Sequence, residues 1–197
     1  MLSTEKGGAY MRHKSALNSI IPIFLILITF TSSGCTMIFQ KGRRTDIEKI
    51  SKLKSELSDL ERAKQELEDQ LRKEIDNKQV NVEMNDRGLV VTFVAEVLFD
   101  SGKAELRTDS LPKLDKVASV LNTTVKDLNV GIEGHTDNIP IKYSGWKSNW
   151  ELSSARAMSV LHYLIDNKGI EPNRVAGIGY GEYRPVESND TKEGRRQ

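Results

Sequence analysis

The longest uninterrupted pattern in the sequence is a leucine-rich heptad repeat over residues 45–79. Neither glycine nor proline interrupts it, and Lys64 fills one position of a stripe whose other members recur in alternating steps of three and four: Ile50, Leu53, Leu57, Leu60, Leu67 and Leu71. This spacing is typical of a coiled-coil helix, here ~50 Å long. We predict a helical stalk that self-associates into a homo-oligomer through the stripe. The alternative is a single amphipathic helix lying on a domain.

The first 35 residues have the pattern of an export signal. A basic start at residues 12–14 precedes an apolar run at residues 20–30, which is shorter than the ~20 residues that a membrane-spanning helix needs. Met11 directly precedes the basic start, so we predict that Met11, rather than Met1, initiates the chain. Residues 1–35 are therefore predicted to be a signal peptide.

The end of this segment, Ser32-Ser33-Gly34-Cys35, resembles the lipobox of bacterial lipoproteins. The resemblance implies acylation of Cys35, and several acyl chains together give stable membrane attachment. Thr36, rather than an aspartate, follows the cysteine, as in lipoproteins sorted to the outer membrane. We predict a lipid-anchored protein on the periplasmic face of the outer membrane, with a linker at residues 36–44. The alternative is a free cysteine.

The charge balance and the cysteine content indicate which partners, cofactors and cross-links the chain is not expected to have. The chain carries 29 basic and 28 acidic residues, a net charge of +1, whereas a nucleic-acid-binding protein would present a basic face. Cys35 is the only cysteine, and the three histidines show no metal-ligand spacing. We therefore expect no nucleic-acid partner, no internal disulfide, no metal and no cofactor.

Residues 80–197 show alternating strand and helix patterns. They predict a hairpin over 80–94, a helix over 108–121, a strand over 129–133, a helix over 150–167 and a strand over 174–179. The order β-β-α-β-α-β predicts an α+β sandwich, with helices packed on one face of a mixed sheet.

Two opposite charges stand at the ends of neighbouring elements in this pattern. Asp137 lies in the loop that leaves the third strand, and Arg156 lies about two turns into the next helix, for which Asn149 occupies an N-cap position. Across a crevice, such a pair fits a zwitterionic ligand, with a carboxylate on Arg156 and an ammonium on Asp137. The alternatives are an ordinary Asp–Arg ion pair and two unrelated surface charges.

Four ordered motifs resemble a known family. They are Phe99-Asp100-Ser101-Gly102, Gly134-His135-Thr136-Asp137, Asn149-x-x-Leu152-Ser153-x-x-Arg156-Ala157 and Gly177-x-Gly179-x-Gly181-Glu182. Over about residues 80–197 this series resembles the OmpA-like peptidoglycan-binding domain. The resemblance implies non-covalent binding of the diaminopimelate residue in peptidoglycan stem peptides. It also implies that Asp137 and Arg156 make the principal contacts.

The resemblance implies a wider ligand pocket and an incomplete sheet. The implied pocket residues beside the charged pair are Phe99, Asp100, Thr136, Asn149 and Leu152. Backbone N–H groups near Asp100 and at the helix start would assist in holding the ligand carboxylate. The family's final strand is missing from this sequence, so we expect an unpaired sheet edge.

The function implied is binding rather than catalysis. No acid pair, zinc set or nucleophile dyad accompanies His135, which we expect to be structural. The chain would tether the outer membrane to peptidoglycan as a lipid-anchored envelope protein. The alternative is a MotB-like stator subunit that anchors a membrane ion-channel complex to peptidoglycan. The insert at residues 138–148 either closes over the ligand or packs on the domain.

Overall fold

The computed structural model describes residues 41–142 and 144–196. The predicted signal peptide, the predicted start at Met11 and the predicted lipidation site Cys35 lie outside the described residues. Within the two described ranges, no helix combines the length and the apolar character needed to cross a bilayer.

Five α-helices and four β-strands are present in the described ranges. In chain order they are α1 (Lys41–Gln70), α2 (Arg72–Asp76), β1 (Val80–Asn85), β2 (Gly88–Phe93), α3 (Ala95–Leu98), α4 (Leu111–Thr123), β3 (Val130–His135), α5 (Asn149–His162) and β4 (Val175–Gly181). A π-helical turn, Tyr163–Asn167, extends α5, and Gly169 follows at φ +67°, as predicted for a residue just beyond a helix end.

Helix α1 begins at Lys41, ahead of the predicted start at Thr45. The predicted linker of residues 36–44 is therefore wrong for residues 41–44, because these residues, including Gly42, are helical. One glycine costs a helix only about 1 kcal/mol, and the lysine, arginine and glutamate residues that follow favour the helix.

The two halves of the heptad stripe have different surroundings. The C-terminal half is buried against the β1–β2 hairpin and α4, through Ala63, Leu67 and Leu71. The N-terminal half is open, with exposed fractions of 52%, 63% and 50% at Ile50, Leu53 and Leu57. A heptad pattern does not specify what its apolar stripe packs against. Here the C-terminal half packs on its own domain. Only the N-terminal half of the stripe is exposed, as the predicted stalk requires.

We expect Leu67→Ala to lower the free energy of unfolding by about 2–5 kcal/mol, because the side chain is 3% exposed and its removal leaves a cavity. The matched control, Leu53→Ala on the same helix, should change it by no more than about 0.5 kcal/mol. Chemical denaturation at protein concentrations at which the chain is monomeric measures both. Equal effects of the two substitutions would show that the docked half is not part of the core.

The strands form two separate pairs. β1 and β2 are antiparallel with Val82 opposite Val91, whereas β3 and β4 are parallel with Val130 opposite Val175. The α+β class is confirmed, but among the described strands the expected single mixed sheet is present as two two-stranded sheets. A tight turn forces the first pair to be antiparallel, and the crossover through α5 forces the second to be parallel. Arg87 in the hairpin turn bonds Glu133 on β3 at 2.9 Å and links the two pairs.

Helix α5 lies directly against the β3–β4 sheet, because glycines face it. A Cβ atom at Gly134 would stand 2.1 Å from the Ser153 carbonyl oxygen, and one at Gly179 would stand 2.1 Å from Ser154 Oγ. Any side chain at either position would push the helix away. This close approach fixes the position of Arg156, which lies on the same helix.

Candidate functional site

A cleft of about 710 Å³ opens beside the start of α5. Four segments form its walls: the loop after α3, the loop leaving β3 with the insert that follows, the first turns of α5, and the C-terminal segment of residues 185–195. The cleft brings together most of the predicted site residues, since its lining includes Phe99, Thr136, Asp137, Asn149, Leu152 and Arg156.

Arg156 reaches the cleft from the second turn of α5. Its Nε donates to the Lys103 carbonyl oxygen at 2.9 Å, and its Nη2 donates to the Asp100 carbonyl oxygen at 3.5 Å. The guanidinium carbon lies 5.1 Å from the centre of the Phe99 ring, within the range of a cation–π contact. The Nη1 group has no partner among the described residues. Backbone and ring contacts thus aim the guanidinium and leave its outer N–H groups available.

Asp137 lines the same cleft from the loop that leaves β3. Its Oδ1 accepts a hydrogen bond from the Ile139 backbone N–H at 3.1 Å, which closes a short turn and fixes the carboxylate. Its Oδ2 has no hydrogen-bond partner among the described residues. One carboxylate oxygen therefore holds the loop and the other is available.

Asp137 and Arg156 share the cleft without bonding each other. No N···O distance between them is within the 4.0 Å that defines an ion pair, so the alternative of an ordinary salt bridge is not what the structure shows. Burial lowers the pKa of the Arg156 guanidinium below its ordinary value, and the charge of Asp137 partly offsets this effect. A partly desolvated cation and a separate anion can together hold a molecule that carries both a carboxylate and an ammonium group.

Asn149 lines the cleft, but its amide is engaged in holding the walls together. Its Nδ2 donates to the carbonyl oxygens of Asp137 and Ile139 at 3.2 and 3.3 Å and to Glu182 Oε2 at 2.7 Å. The predicted N-cap position is wrong by one residue: Ser148 is the N-cap and accepts from the Glu151 N–H, whereas Asn149 is the first helical residue. Asn149 therefore positions the Asp137 loop.

Phe99, Leu152 and Thr136 form the floor of the cleft. Phe99 and Leu152 are each 6% exposed and supply an apolar base. The Thr136 backbone N–H donates to the Gly181 carbonyl oxygen at 3.0 Å, whereas its Oγ1 is buried and has no hydrogen-bond partner in the structure. A buried hydroxyl without a partner is costly, so Thr136 Oγ1 is a candidate to bond a ligand.

The Asp100 side chain does not line the cleft, in contrast to the sequence-based expectation. Its carboxylate binds Lys103 at 3.1 Å and Arg107 at 2.8 Å. The hydrogen bond and charge of Lys103, with a further contribution from Arg107, hold the pKa of Asp100 below its ordinary value. Asp100 contributes to the cleft through its backbone carbonyl, which orients Arg156.

The described part of the insert, residues 138–142 and 144–148, packs on the domain and also forms a wall of the cleft. Trp146 Nε1 donates to the Gly102 carbonyl oxygen at 2.9 Å, which ties the insert to the Phe99 loop. Ile139, Pro140, Ile141, Lys142 and Ser144 line the cleft from the insert side. The two alternatives for the insert are thus not exclusive.

His135 is held in a structural role. Its Nδ1 lies 2.6 Å from the Arg184 carbonyl oxygen, and its ring stacks on Tyr180 with centres 5.3 Å apart. These contacts connect the end of β3 to β4 through Tyr180 and to the segment after β4 through Arg184.

The C-terminal segment is the part of the cleft that sequence reasoning missed. Pro185, Val186, Glu187, Asn189, Lys192, Gly194 and Arg195 line it. Arg195 Nη1 donates to the Asn189 carbonyl oxygen at 2.6 Å, which folds the segment back on itself. The segment has no helical or strand periodicity, and the four family motifs end before it, so the sequence offered no signal for its position.

A second cleft, of about 630 Å³, lies beside the β1–β2 hairpin. Three of its charged residues are held together, since Arg107 binds Asp100 and Asp109 and Lys113 donates to the Asp109 carbonyl oxygen at 2.7 Å. Lys78 and Glu96 also line it. None of the predicted site residues lines it.

The chain is similar to several known proteins. Motility protein B of Bacillus subtilis (strain 168) is 38% identical over 137 residues, covering 70% of this chain and 52% of that protein, so the chain spans about half the length of that relative. The cell wall anchor of the T6SS from Pseudomonas aeruginosa is 34% identical, with a TM-score of 0.58 over 66% of this chain and 89% of that chain.

A MotB-like protein from Desulfovibrio vulgaris shares the fold, with a TM-score of 0.64 and 24% identity over 73% of this chain and 88% of that chain. The sequence model of the OmpA family matches residues 98–197. Since this range is just over half of the chain and includes both Asp137 and Arg156, the chain belongs to the OmpA family.

Proposed function

We propose that the cleft binds the diaminopimelate residue of peptidoglycan stem peptides without cleaving them. The observation that carries this proposal is the pair of opposite charges that share the cleft unbonded, Arg156 with free N–H groups and Asp137 with a free carboxylate oxygen. The side chain of diaminopimelate ends in a carbon that bears both an ammonium and a carboxylate. The similarity to a cell wall anchor supports the same ligand class.

Each charge has one partner on this ligand. Arg156 would hold the distal carboxylate through its outer N–H groups, the geometry that a planar guanidinium favours. Asp137 Oδ2 would accept from the ammonium, and Thr136 Oγ1 would gain the partner that it lacks. A hydrogen bond to a charged group contributes roughly 1.5–3 kcal/mol, so two such contacts account for a weak but specific attachment.

A comparison of two chemical types of peptidoglycan tests whether Arg156 holds the distal carboxylate. In peptidoglycan whose stem peptide carries lysine in place of diaminopimelate, the distal carboxylate is absent and Arg156 stays unpaired. We expect co-sedimentation of the full chain with lysine-type walls to be at least about tenfold weaker than with diaminopimelate-type walls, since about 1.4 kcal/mol corresponds to a factor of ten. Equal retention on equal masses of both walls would contradict the assignment.

We further propose that the chain is a tether: a lipid on Cys35 holds it on the periplasmic face of the outer membrane, and the domain binds the wall. The exposed N-terminal half of the heptad stripe supports self-association into a homo-oligomer, because Ile50, Leu53 and Leu57 are each at least half exposed.

A MotB-like stator subunit is the second candidate, and the 38% identity to motility protein B favours it. Mass spectrometry of the mature N-terminus distinguishes the two. An acylated Cys35 at the N-terminus supports the tether, whereas an uncleaved N-terminal segment supports the stator subunit.

A further inference from the structure

Two exposed aromatic residues stack on each other at the N-terminal end of α5. The ring centres of Trp150 and Tyr183 lie 5.2 Å apart with an interplanar angle of 22°. The two residues are 47% and 66% exposed. Large aromatic residues dominate cores and interfaces, so a pair that faces solvent is a candidate contact surface.

The backbone on both sides holds this aromatic pair in place. Gly181 has φ +56°, and a Cβ there would stand 3.3 Å from Trp150 N and 3.4 Å from its ring, so the end of β4 lies directly against Trp150. The Gly181 N–H donates to Ser153 Oγ at 2.9 Å, and the Tyr183 N–H donates to the Tyr180 carbonyl oxygen at 3.3 Å. The rings are therefore presented by a fixed turn and a helix end.

The pair adjoins the wall-binding cleft. Trp150 follows Asn149 and Tyr183 follows Glu182, and these two preceding residues are bonded to each other at 2.7 Å. Asn149 lines the cleft, and so does Val186 in the segment that continues from Tyr183. A ligand that extends out of the cleft beyond the Asn149–Glu182 hydrogen bond would therefore contact Trp150 and Tyr183.

We propose that Trp150 and Tyr183 form a sugar-stacking surface for the glycan strand that carries the bound stem peptide. The inference rests on the proposed function. A pyranose ring has an apolar face of C–H groups that packs against aromatic rings, while its hydroxyl groups stay in water. The stem peptide is covalently joined to the glycan, and three extended residues reach only ~10 Å, so a peptide held in the cleft keeps its sugar close to the domain.

The test compares two soluble ligands on the full chain: the diaminopimelate tripeptide alone, and the same tripeptide joined to its disaccharide. We expect the wild type to bind the disaccharide-linked ligand at least about fivefold more tightly, a difference of about 1 kcal/mol. Tyr183→Ala and Trp150→Ala should bring this ratio to about one and leave the tripeptide affinity unchanged. Tyr183→Phe should retain the ratio, because the stacking face is kept.

Met158→Ala is the matched control, since Met158 is also an exposed apolar residue of α5 and lies away from the pair; its ratio should equal that of the wild type. A wild-type ratio of one, or an Ala variant that weakens both ligands equally, would overturn the sugar-stacking surface. The wild type could instead bind the disaccharide-linked ligand but not the tripeptide, with Tyr183→Ala weakening that binding. In that case the diaminopimelate assignment fails and the sugar-stacking surface stands. If neither ligand binds, both proposals fail.

Discussion

Arg156→Ala is expected to abolish most of the binding to diaminopimelate-type peptidoglycan, with a loss of at least about tenfold in affinity. The substitution removes the only arginine that lines the cleft from α5 and leaves the ligand carboxylate without its charged partner. Arg156→Lys should restore little, because the Nε donor to the Lys103 carbonyl oxygen is lost and a lysine ammonium cannot bind a carboxylate bidentately.

Asp137→Asn should weaken binding by a similar factor, because the amide keeps the turn to the Ile139 N–H but loses the charge that pairs with the ammonium. Arg62→Ala is the matched control for Arg156: Arg62 is also a surface arginine, but it lies on α1, binds Asp59 and lines neither cleft. Co-sedimentation with purified walls measures all four variants. A loss of binding in Arg62→Ala as large as that in Arg156→Ala would show that net charge, rather than the cleft, drives retention.

Gly134→Ala should destabilise the fold by about 3 kcal/mol or more. The added Cβ would stand 2.1 Å from the Ser153 carbonyl oxygen and 2.9 Å from its carbonyl carbon, both backbone atoms of α5 that cannot rotate away. Overpacking in a well-packed core costs about 1–3 kcal/mol and occasionally more. Here the clash is with main chain, so the expected cost lies at the upper end of that range.

Gly131→Ala on the same strand is the control, since a Cβ there meets nothing within 4 Å. It should leave the free energy of unfolding within about 0.5 kcal/mol of the wild type. Thermal and chemical unfolding of the two variants measures the difference. Comparable stability of both would mean that α5 does not lie on the sheet as closely as the structure has it, and the position of Arg156 would then be in error.

The spacing of apolar residues in the sequence predicted the helices and strands of the domain well. The hairpin, both core helices and both later strands lie within a few residues of the predicted ranges, because period-2 and period-3.6 spacing report which face of an element is buried. The partner of the leucine stripe could not be predicted in this way. Leu53 and Leu67 occupy equivalent heptad positions, yet one is exposed and the other is buried on the hairpin and α4.

The candidate site was predicted in part. Asp137 and Arg156 could be placed on facing elements, because a strand exit and the following helix meet at one sheet edge. The roles of Asn149 and Asp100 could not, since each depends on a bond to a segment distant in sequence: Asn149 to Glu182, and the Asp100 carbonyl oxygen to Arg156. The C-terminal wall, residues 185–195, has no periodic pattern that could have placed it.

The most direct test of the account is an experimental structure of the full chain bound to the diaminopimelate tripeptide. We predict that the distal carboxylate lies about 2.8 Å from the guanidinium nitrogens of Arg156, and that the ammonium on the same carbon lies about 2.8 Å from Asp137 Oδ2. A tripeptide bound in the cleft with its distal carbon turned away from both residues would contradict the central claim, as would a tripeptide bound elsewhere on the domain.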